Sequence, residues 1–417
     1  MQNRSRLFGQ ATLLMVAAVN FAACSSRAAQ ATPAASARVA AAPLKTDAEI
    51  RDLDIAYFSE RAKRDPTGAL DLARLGALYL ARGRETGDPR DAILAEQVAR
   101  RSLHNRKERN GAATQVLETA LLAQHRFDEA LPLARAARAT DPENASLRAA
   151  VGDIEMELGL YDSARVSFSN IHTTLGDPSV APRLARWAEI EGDPDKARMF
   201  LHAALEGVRE TPTVPREQVA WFWLRVGDLE LRTEHFAAAD SAYRAGLAVH
   251  HEDYRLLSAL AHSALLQGNW PRAVAFGERA IATTLDPATL GILSDAYGAM
   301  GDSAKSAEYA RVLDVAVLKQ PGAYHRAWSL FLLDHDRHVD VVSRKIRDEL
   351  KTRKDVYAYD LLAWSLHKQG RDREAADAMK VALREGTKDP QLASHQRAID
   401  AALIEGSAVS AGETVRP

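Results

Sequence analysis

The chain has 417 residues, of which 47% are hydrophobic, 26% are charged and 6% are aromatic. These values are typical of a folded soluble protein, and the formal net charge of −2 argues against the strong positive field that nucleic-acid binding needs. Alanine accounts for 78 residues, about 19%, which favours helix and predicts an interior built from Ala and Leu rather than from large rings.

The first 23 residues predict an export signal. Arg4 and Arg6 precede an apolar run from Leu7 to Ala23, which is too short to favour a membrane span. Residues 21–24 read FAAC, which resembles the bacterial lipoprotein box, where small residues precede a Cys that is lipidated and becomes the new N-terminus. That pattern favours Leu where this chain has Phe21, and ordinary secretion with simple cleavage is the alternative.

Cys24 is the only cysteine, so it cannot form an internal disulfide. The segment that follows it is poor in large apolar residues, and we expect residues 24–45 to form a flexible tether. Acyl chains on Cys24 would anchor the protein at about 0.8 kcal/mol per buried CH₂. By the same resemblance, Ser25 indicates the outer membrane, so the predicted location is the cell envelope, as a periplasm-facing outer-membrane lipoprotein.

The rest of the chain repeats with a period near 34 residues. Nine copies of the repeat are present, and the residues of each copy are numbered from its own first residue. Position 8 is small in eight of the nine copies, Glu118 being the exception, and position 20 is Ala in seven of the nine. Visible inserts at residues 83–90 and 209–216 account for the two longer intervals. The starts fall at residues 69, 111, 145, 178, 220, 254, 287, 322 and 356.

This pattern resembles the tetratricopeptide repeat, a 34-residue pair of antiparallel helices, over residues 69–389. The resemblance implies an all-α fold, namely a right-handed α-solenoid of about nine helical hairpins in which positions 8 and 20 meet where the two helices cross. Residues 47–66 and 391–406 are predicted to be polar-faced capping helices. The solenoid is therefore placed at residues 46–405, followed by a disordered tail at 406–417.

No catalytic constellation emerges once the tether, repeats and caps are assigned. No stretch of about a hundred residues is left for a separate catalytic domain. The most metal-like segment is DHDRHVD at residues 334–340, but the register places it in the turn of the eighth repeat, where polar residues are expected. We therefore predict a non-enzymatic protein without a cofactor or a metal site.

The resemblance implies a concave groove lined mainly by positions 2, 5, 9 and 12 of the first helices. Two Trp residues at such positions are candidate anchors, although packing under a neighbouring helix is an equal alternative. The lack of Lys and Asn at positions 5 and 9 disfavours the clamp by which chaperone-binding members hold a C-terminal carboxylate. The main candidates are Trp221, Asp228, Arg255, His262, Asp295, Arg326, Trp364 and His367, and the groove also includes Gln115, Thr119, Asp153, Arg186, Glu189 and Leu224.

The leading functional hypothesis is a scaffold or adaptor that is tethered to the cell envelope and binds a protein or peptide partner in its groove. The alternative is a periplasmic module that binds a glycan or another small ligand, supported only by the groove aromatics. No nucleic-acid partner is expected, and membrane contact is expected only through the lipid anchor.

Overall fold

The computed structural model describes residues 45–169, 171–319 and 326–413, with side chains at all of them except 317–319 and 406–413. These ranges belong to the second of two units into which the chain divides, 1–44 and 45–417. They form helices and no strands, so the predicted all-α fold is confirmed. The helices are α1 (Asp47–Arg64), α2 (Ala69–Thr86), α3 (Arg90–Asn105), α4 (Gly111–Ala123), α5 (Phe127–Thr140), α6 (Ala145–Glu157), α7 (Tyr161–Ser169), α8 (Ala181–Ile190), α9 (Pro194–Arg209), α10 (Arg216–Arg232), α11 (Phe236–Val249), α12 (Tyr254–Leu266), α13 (Trp270–Thr283), α14 (Pro287–Ala299), α15 (Ser303–Lys319), α16 (Arg326–Asp334), α17 (Val339–Glu349), α18 (Val356–His367), α19 (Asp372–Ala382) and α20 (Pro390–Glu413).

From α2 to α19 the helices pack in successive pairs, and each pair contacts the next. The turn between α8 and α9 shows how the sequence makes a hairpin. Gly192 adopts a left-handed φ of 73°, which costs glycine little and ends α8. The Asp193 side chain then accepts a hydrogen bond from the backbone N–H of Lys196 (3.0 Å) and caps α9. The chain therefore reverses direction within three residues.

The small residues at positions 8 and 20 lie where the two helices of a hairpin cross. In the seventh repeat, the Ser294 hydroxyl at position 8 donates to the carbonyl oxygen of Ser306 at position 20 (3.0 Å). The alanines at position 20 are almost entirely buried, for example Ala130 and Ala239 at 0% exposure. At position 8 of the fifth repeat, Gly227 lies directly against the Tyr243 ring. Small residues are therefore used for close helix packing.

Most predicted repeat starts are the first residues of helices. This holds for starts 69, 111, 145, 254, 287 and 356, whereas α8 begins three residues after 178 and α10 four residues before 220. Start 322 lies outside the described residues. Part of the first insert lengthens α2, which continues to Thr86 before the turn.

The C-terminal tail differs from the prediction of disorder from residue 406. Helix α20 continues to Glu413, and this segment contains no proline to stop the helix. Residues 414–417 of the predicted tail lie outside the described residues, as do the predicted signal and the tether up to residue 44.

A second set of contacts joins hairpins that are almost 200 residues apart in the chain. The Tyr161 hydroxyl accepts a hydrogen bond from the backbone N–H of Val356 (2.7 Å). The Thr387 hydroxyl donates to the carbonyl oxygen of Ile190 (2.8 Å), and the Thr284 hydroxyl donates to that of Thr86 (3.1 Å). The described part of the array therefore winds so tightly that one superhelical turn packs against the next.

Candidate functional site: an arginine-lined cavity

Residues of the fourth, fifth, eighth and ninth repeats, together with the loop before α20, meet around one cavity of about 210 Å³. Four guanidinium groups line it, and they come from three helices in two superhelical turns. Arg186 lies on α8, Arg225 and Arg232 on α10, and Arg326 on α16. The remaining lining residues are Glu189, Ile190, Tyr357 and Asp389.

The arginine side chains keep contact with solvent. Their exposed fractions are 29% for Arg186, 24% for Arg225, 30% for Arg232 and 28% for Arg326. A side chain that only filled a core would be covered almost completely. The guanidinium groups are therefore held in place by the protein and remain accessible from the cavity.

Carboxylates fix the orientation of these arginines. The Nε of Arg232 donates to Glu189 (2.9 Å), and an Nη of Arg225 donates to Asp228 (3.2 Å). An Nη of Arg326 donates to the fully buried Asp360 (2.9 Å), which also bonds to His395. Charge-assisted bonds of this kind hold planar guanidinium groups in defined directions.

Arg186 connects the cavity to the contact between superhelical turns. It pairs with Glu157 on α6, and Glu157 also pairs with Arg353 of the next turn (3.0 Å). Arg353 pairs in addition with Asp355 (2.8 Å). Burial opposes the charged form of Glu157, but Arg186 and Arg353 outweigh burial and lower the pKa of Glu157 below its ordinary value. The two turns are thus joined by charged groups next to the cavity.

Two donors at the cavity have no hydrogen-bond partner among the described residues. One is the Nε of Arg326, whose guanidinium carbon lies 4.8 Å from the centre of the Tyr357 ring. The other is the Tyr357 hydroxyl, which stays protonated because burial raises the pKa of Tyr357. The Arg326 Nε is itself closed to solvent, whereas Tyr357 lines the cavity, so the Tyr357 hydroxyl is the donor of the two that is available to a ligand or to water.

Of the eight main groove candidates, Arg326 lines the cavity, and Asp228 lies behind it as the partner of Arg225. Trp364 and His367 lie together on α18, with ring centres 5.0 Å apart. His395 of α20 stacks on the other side of Trp364 at 4.3 Å, and the indole N–H donates to Asp334 (2.7 Å). Trp364 is therefore partly covered by the C-terminal helix.

The other four main candidates lie in separate places. Trp221 packs edge-on against Phe222 within the core of the fourth and fifth repeats. Arg255 pairs with Asp253 (2.6 Å) and Glu217 (2.8 Å), and its side chain is only 14% exposed. Asp295 bonds to His335 (2.7 Å), while His262 is exposed on α12. The eight candidates do not form a single site.

The sequence pattern missed five residues of the cavity, namely Ile190 and four polar or charged residues. Tyr357 occupies position 2 of the ninth repeat, so the same register could have indicated it. Arg225 and Arg232 occupy positions 6 and 13, which the groove rule does not include, and Asp389 lies in the loop before α20. Their convergence depends on how the array winds, and no local pattern shows that.

The predicted polar turn at residues 334–340 also acquires partners. His335 bonds to Asp295, and the Nε2 of His338 lies 3.5 Å from Asp314. In the described ranges, no three His, Cys, Asp or Glu residues are grouped as a metal would require.

None of the described helices combines the length and apolarity that crossing a membrane requires. Cys24 lies outside the described residues.

The fold is thus an array of helical hairpins, and two stretches of it match models of the tetratricopeptide repeat. The matched residues are 121–171 and 224–288. Tetratricopeptide repeats are therefore present in the first half of the array and again near its centre. The chain matches no curated protein sequence.

Several solved structures are similar to the chain at low identity. PilW, described as a widely conserved type IV pilus biogenesis factor, has 17% identity and a TM-score of 0.41, over 52% of this chain and 97% of that one. A human IFIT1 dimer with PPP-AAAA has 14% identity and a TM-score of 0.48, over 76% and 72%. Pseudomonas aeruginosa pilF has 15% identity and a TM-score of 0.33, over 68% and 99%.

Proposed function

We propose that the protein is a non-catalytic scaffold that binds a protein or peptide partner along its concave surface and is tethered to the bacterial cell envelope through Cys24. The observation that carries the binding role is the accessible polar cavity. Its arginines come from positions that pure hairpin packing does not require to be charged, and they remain solvent-accessible. Arginine is among the residues that dominate binding energy at protein interfaces.

The tether rests on the sequence. Its support is the charged start, the apolar run and the FAAC segment that ends at the only cysteine. A lipid-anchored Cys24, followed by residues 25–45 as a linker, would hold the array beside a membrane without a membrane-spanning helix. The outer membrane of a double-membrane cell is the proposed site.

Site-specific photo-crosslinking in envelope preparations tests the binding role. A photoreactive residue is placed at His262 or Thr119, which are exposed at position 9 of α12 and α4. Matched controls carry it at Lys380 or Lys351, whose side chains are 76% and 74% exposed on second-helix and loop surfaces. We expect the two concave positions to give a shared adduct that the controls lack. Equal adducts at all four positions, or none from the concave pair, would contradict the proposal.

Metabolic labelling with an alkynyl palmitate tests the anchor. The natural chain should incorporate the label and sediment with membranes, and Cys24→Ala should lose the label and become soluble because no other cysteine is present. A Cys24→Ala protein that still incorporates the label would refute lipidation at Cys24 and would leave the binding role intact.

A further inference from the structure

The cavity holds more hydrogen-bond donors than its carboxylates use. Four guanidinium groups present up to five N–H donors each. Within the lining, the only carboxylates are Glu189 and Asp389, and Glu189 is shared between Arg232 and Arg225, the latter at 3.7 Å. The Tyr357 hydroxyl at the lining adds one more donor, whereas one oxygen of Glu189 is a buried acceptor without a hydrogen-bond partner. A ligand with acceptor oxygens would meet this surplus.

The surrounding charges limit how much negative charge that ligand can carry. Behind the guanidinium groups lie the carboxylates that orient them, including Asp228, Asp360 and Glu157. The positive and negative charges of the region as a whole are therefore close to equal in number, although the inner surface of the cavity presents hydrogen-bond donors. Such a site suits one oxyanion group and disfavours a polyanion such as nucleic acid, which needs an extended cationic surface.

The size of the cavity leads to the same conclusion. Its volume of about 210 Å³ is below the roughly 300–1,000 Å³ of sites that enclose a whole organic ligand. A carboxylate or phosphate group with a short stem fits this space, and guanidinium groups recognise both through paired N–H donors.

From these observations we propose that the cavity binds a single oxyanion group, supplied by an acidic side chain of the peptide that occupies the concave surface. This inference rests on the proposed function and specifies the chemistry of its partner. Arg225 and Arg326 would hold the oxyanion from opposite superhelical turns, and the Tyr357 hydroxyl would donate to it. Free inorganic phosphate offers the same chemistry and is the second possible source.

Calorimetric titration of the full chain, at constant ionic strength set with chloride, tests the site. Three probes are used: inorganic phosphate, glutarate, and a short blocked peptide with one Glu, compared with the same peptide carrying Gln. We expect saturable binding of the oxyanion probes and none of the Gln peptide. Preference for the Glu peptide over phosphate identifies a peptide source, and the reverse identifies a free ion. No saturable binding of any probe would overturn the proposal.

Three variants locate the binding. Arg225→Gln keeps a polar side chain on α10 and should weaken binding by about tenfold or more, or 1.4 kcal/mol per factor of ten. Tyr357→Phe removes only the unpartnered hydroxyl and should weaken binding by a few fold. Arg244→Gln changes a 58% exposed arginine on α11 and should leave binding unchanged. Thermal melts confirm that all three remain folded, and equal binding by the natural chain and Arg225→Gln would refute the assignment.

The outcome is separable from that of the scaffold. If the His262 adduct forms equally in the natural chain and in Arg225→Gln, and no oxyanion binds, the scaffold stands and the oxyanion site is wrong. If phosphate binds at Arg225 but the concave positions give no adduct, the site is right and the peptide scaffold is wrong.

Discussion

Glu118 occupies a position where the repeat otherwise carries a small residue, and its ionisation should weaken the fold. It lies on α4, is only 7% exposed, and has no hydrogen-bond or ion-pair partner among the described residues. Burial raises the pKa of Glu118 from 4.5 to about 7, with Arg183 acting against the increase and Asp153 adding to it. A buried carboxyl without a partner favours its neutral form.

The size of the effect follows from this pKa. Because the pKa of the folded state lies above that of the unfolded state, the protonated carboxyl contributes stability that is complete below about pH 4.5. This stability is lost as the pH rises through about 7. At about 1.4 kcal/mol per pKa unit, the loss is roughly 3 kcal/mol above that pH. Between pH 5 and pH 8 it amounts to about 2.5 kcal/mol.

Glu118→Gln removes this titration, so the natural chain should lose about 2.5 kcal/mol more stability than the variant between pH 5 and pH 8. Repeat arrays can unfold in parts, so hydrogen exchange of the α4 amides, after correction for intrinsic rates, is the appropriate measurement. Glu206→Gln, on the exposed surface of α9, is the matched control and should follow the natural chain. Parallel pH dependence of the natural chain and Glu118→Gln would refute the reasoning.

Two further predictions concern packing. Gly227→Ala should destabilise the fifth repeat by about 1–3 kcal/mol in urea denaturation, because the added Cβ would overlap the Tyr243 ring. Gly111→Ala, which meets no atom within 4 Å, should be neutral or slightly stabilising, and a loss as large as that of Gly227→Ala would contradict the overlap argument. Tyr161→Phe should cost about 1–3 kcal/mol, since the buried N–H of Val356 loses its acceptor, and the exchange of that amide should accelerate. Tyr57→Phe, at a 56% exposed ring, is the control, and unchanged exchange at Val356 would show that the contact between turns contributes no stability.

The helical hairpins could be predicted because their signals are local. Ala130, Ala164 and Ala239 lie at equivalent buried crossings, as the period required. Turn signals such as Gly192 followed by Asp193 also act within a few residues. Helix α20 runs to Glu413 into the predicted tail, since a segment without proline can extend a helix that has already begun.

The candidate site could be predicted only in part. The concave positions located Arg186, Glu189 and Arg326, and the structure brings these three to one cavity. The same rule also selected Arg255, whose ion pairs with Asp253 and Glu217 leave its side chain only 14% exposed. A rule based on position within a repeat cannot tell which concave residues will face each other across the axis.

The sequence by itself determined the helix pairs, because a period of about 34 residues with small side chains at the crossings admits only one register of close packing. The tertiary structure alone decided that Tyr161 bonds to Val356 and that four arginines share one cavity. The physical reason is that winding is the sum of small rotations between neighbouring hairpins, each set by the volumes of many side chains. These rotations accumulate over many hairpins before two superhelical turns touch, as at the bonds of Tyr161 to Val356 and of Thr387 to Ile190.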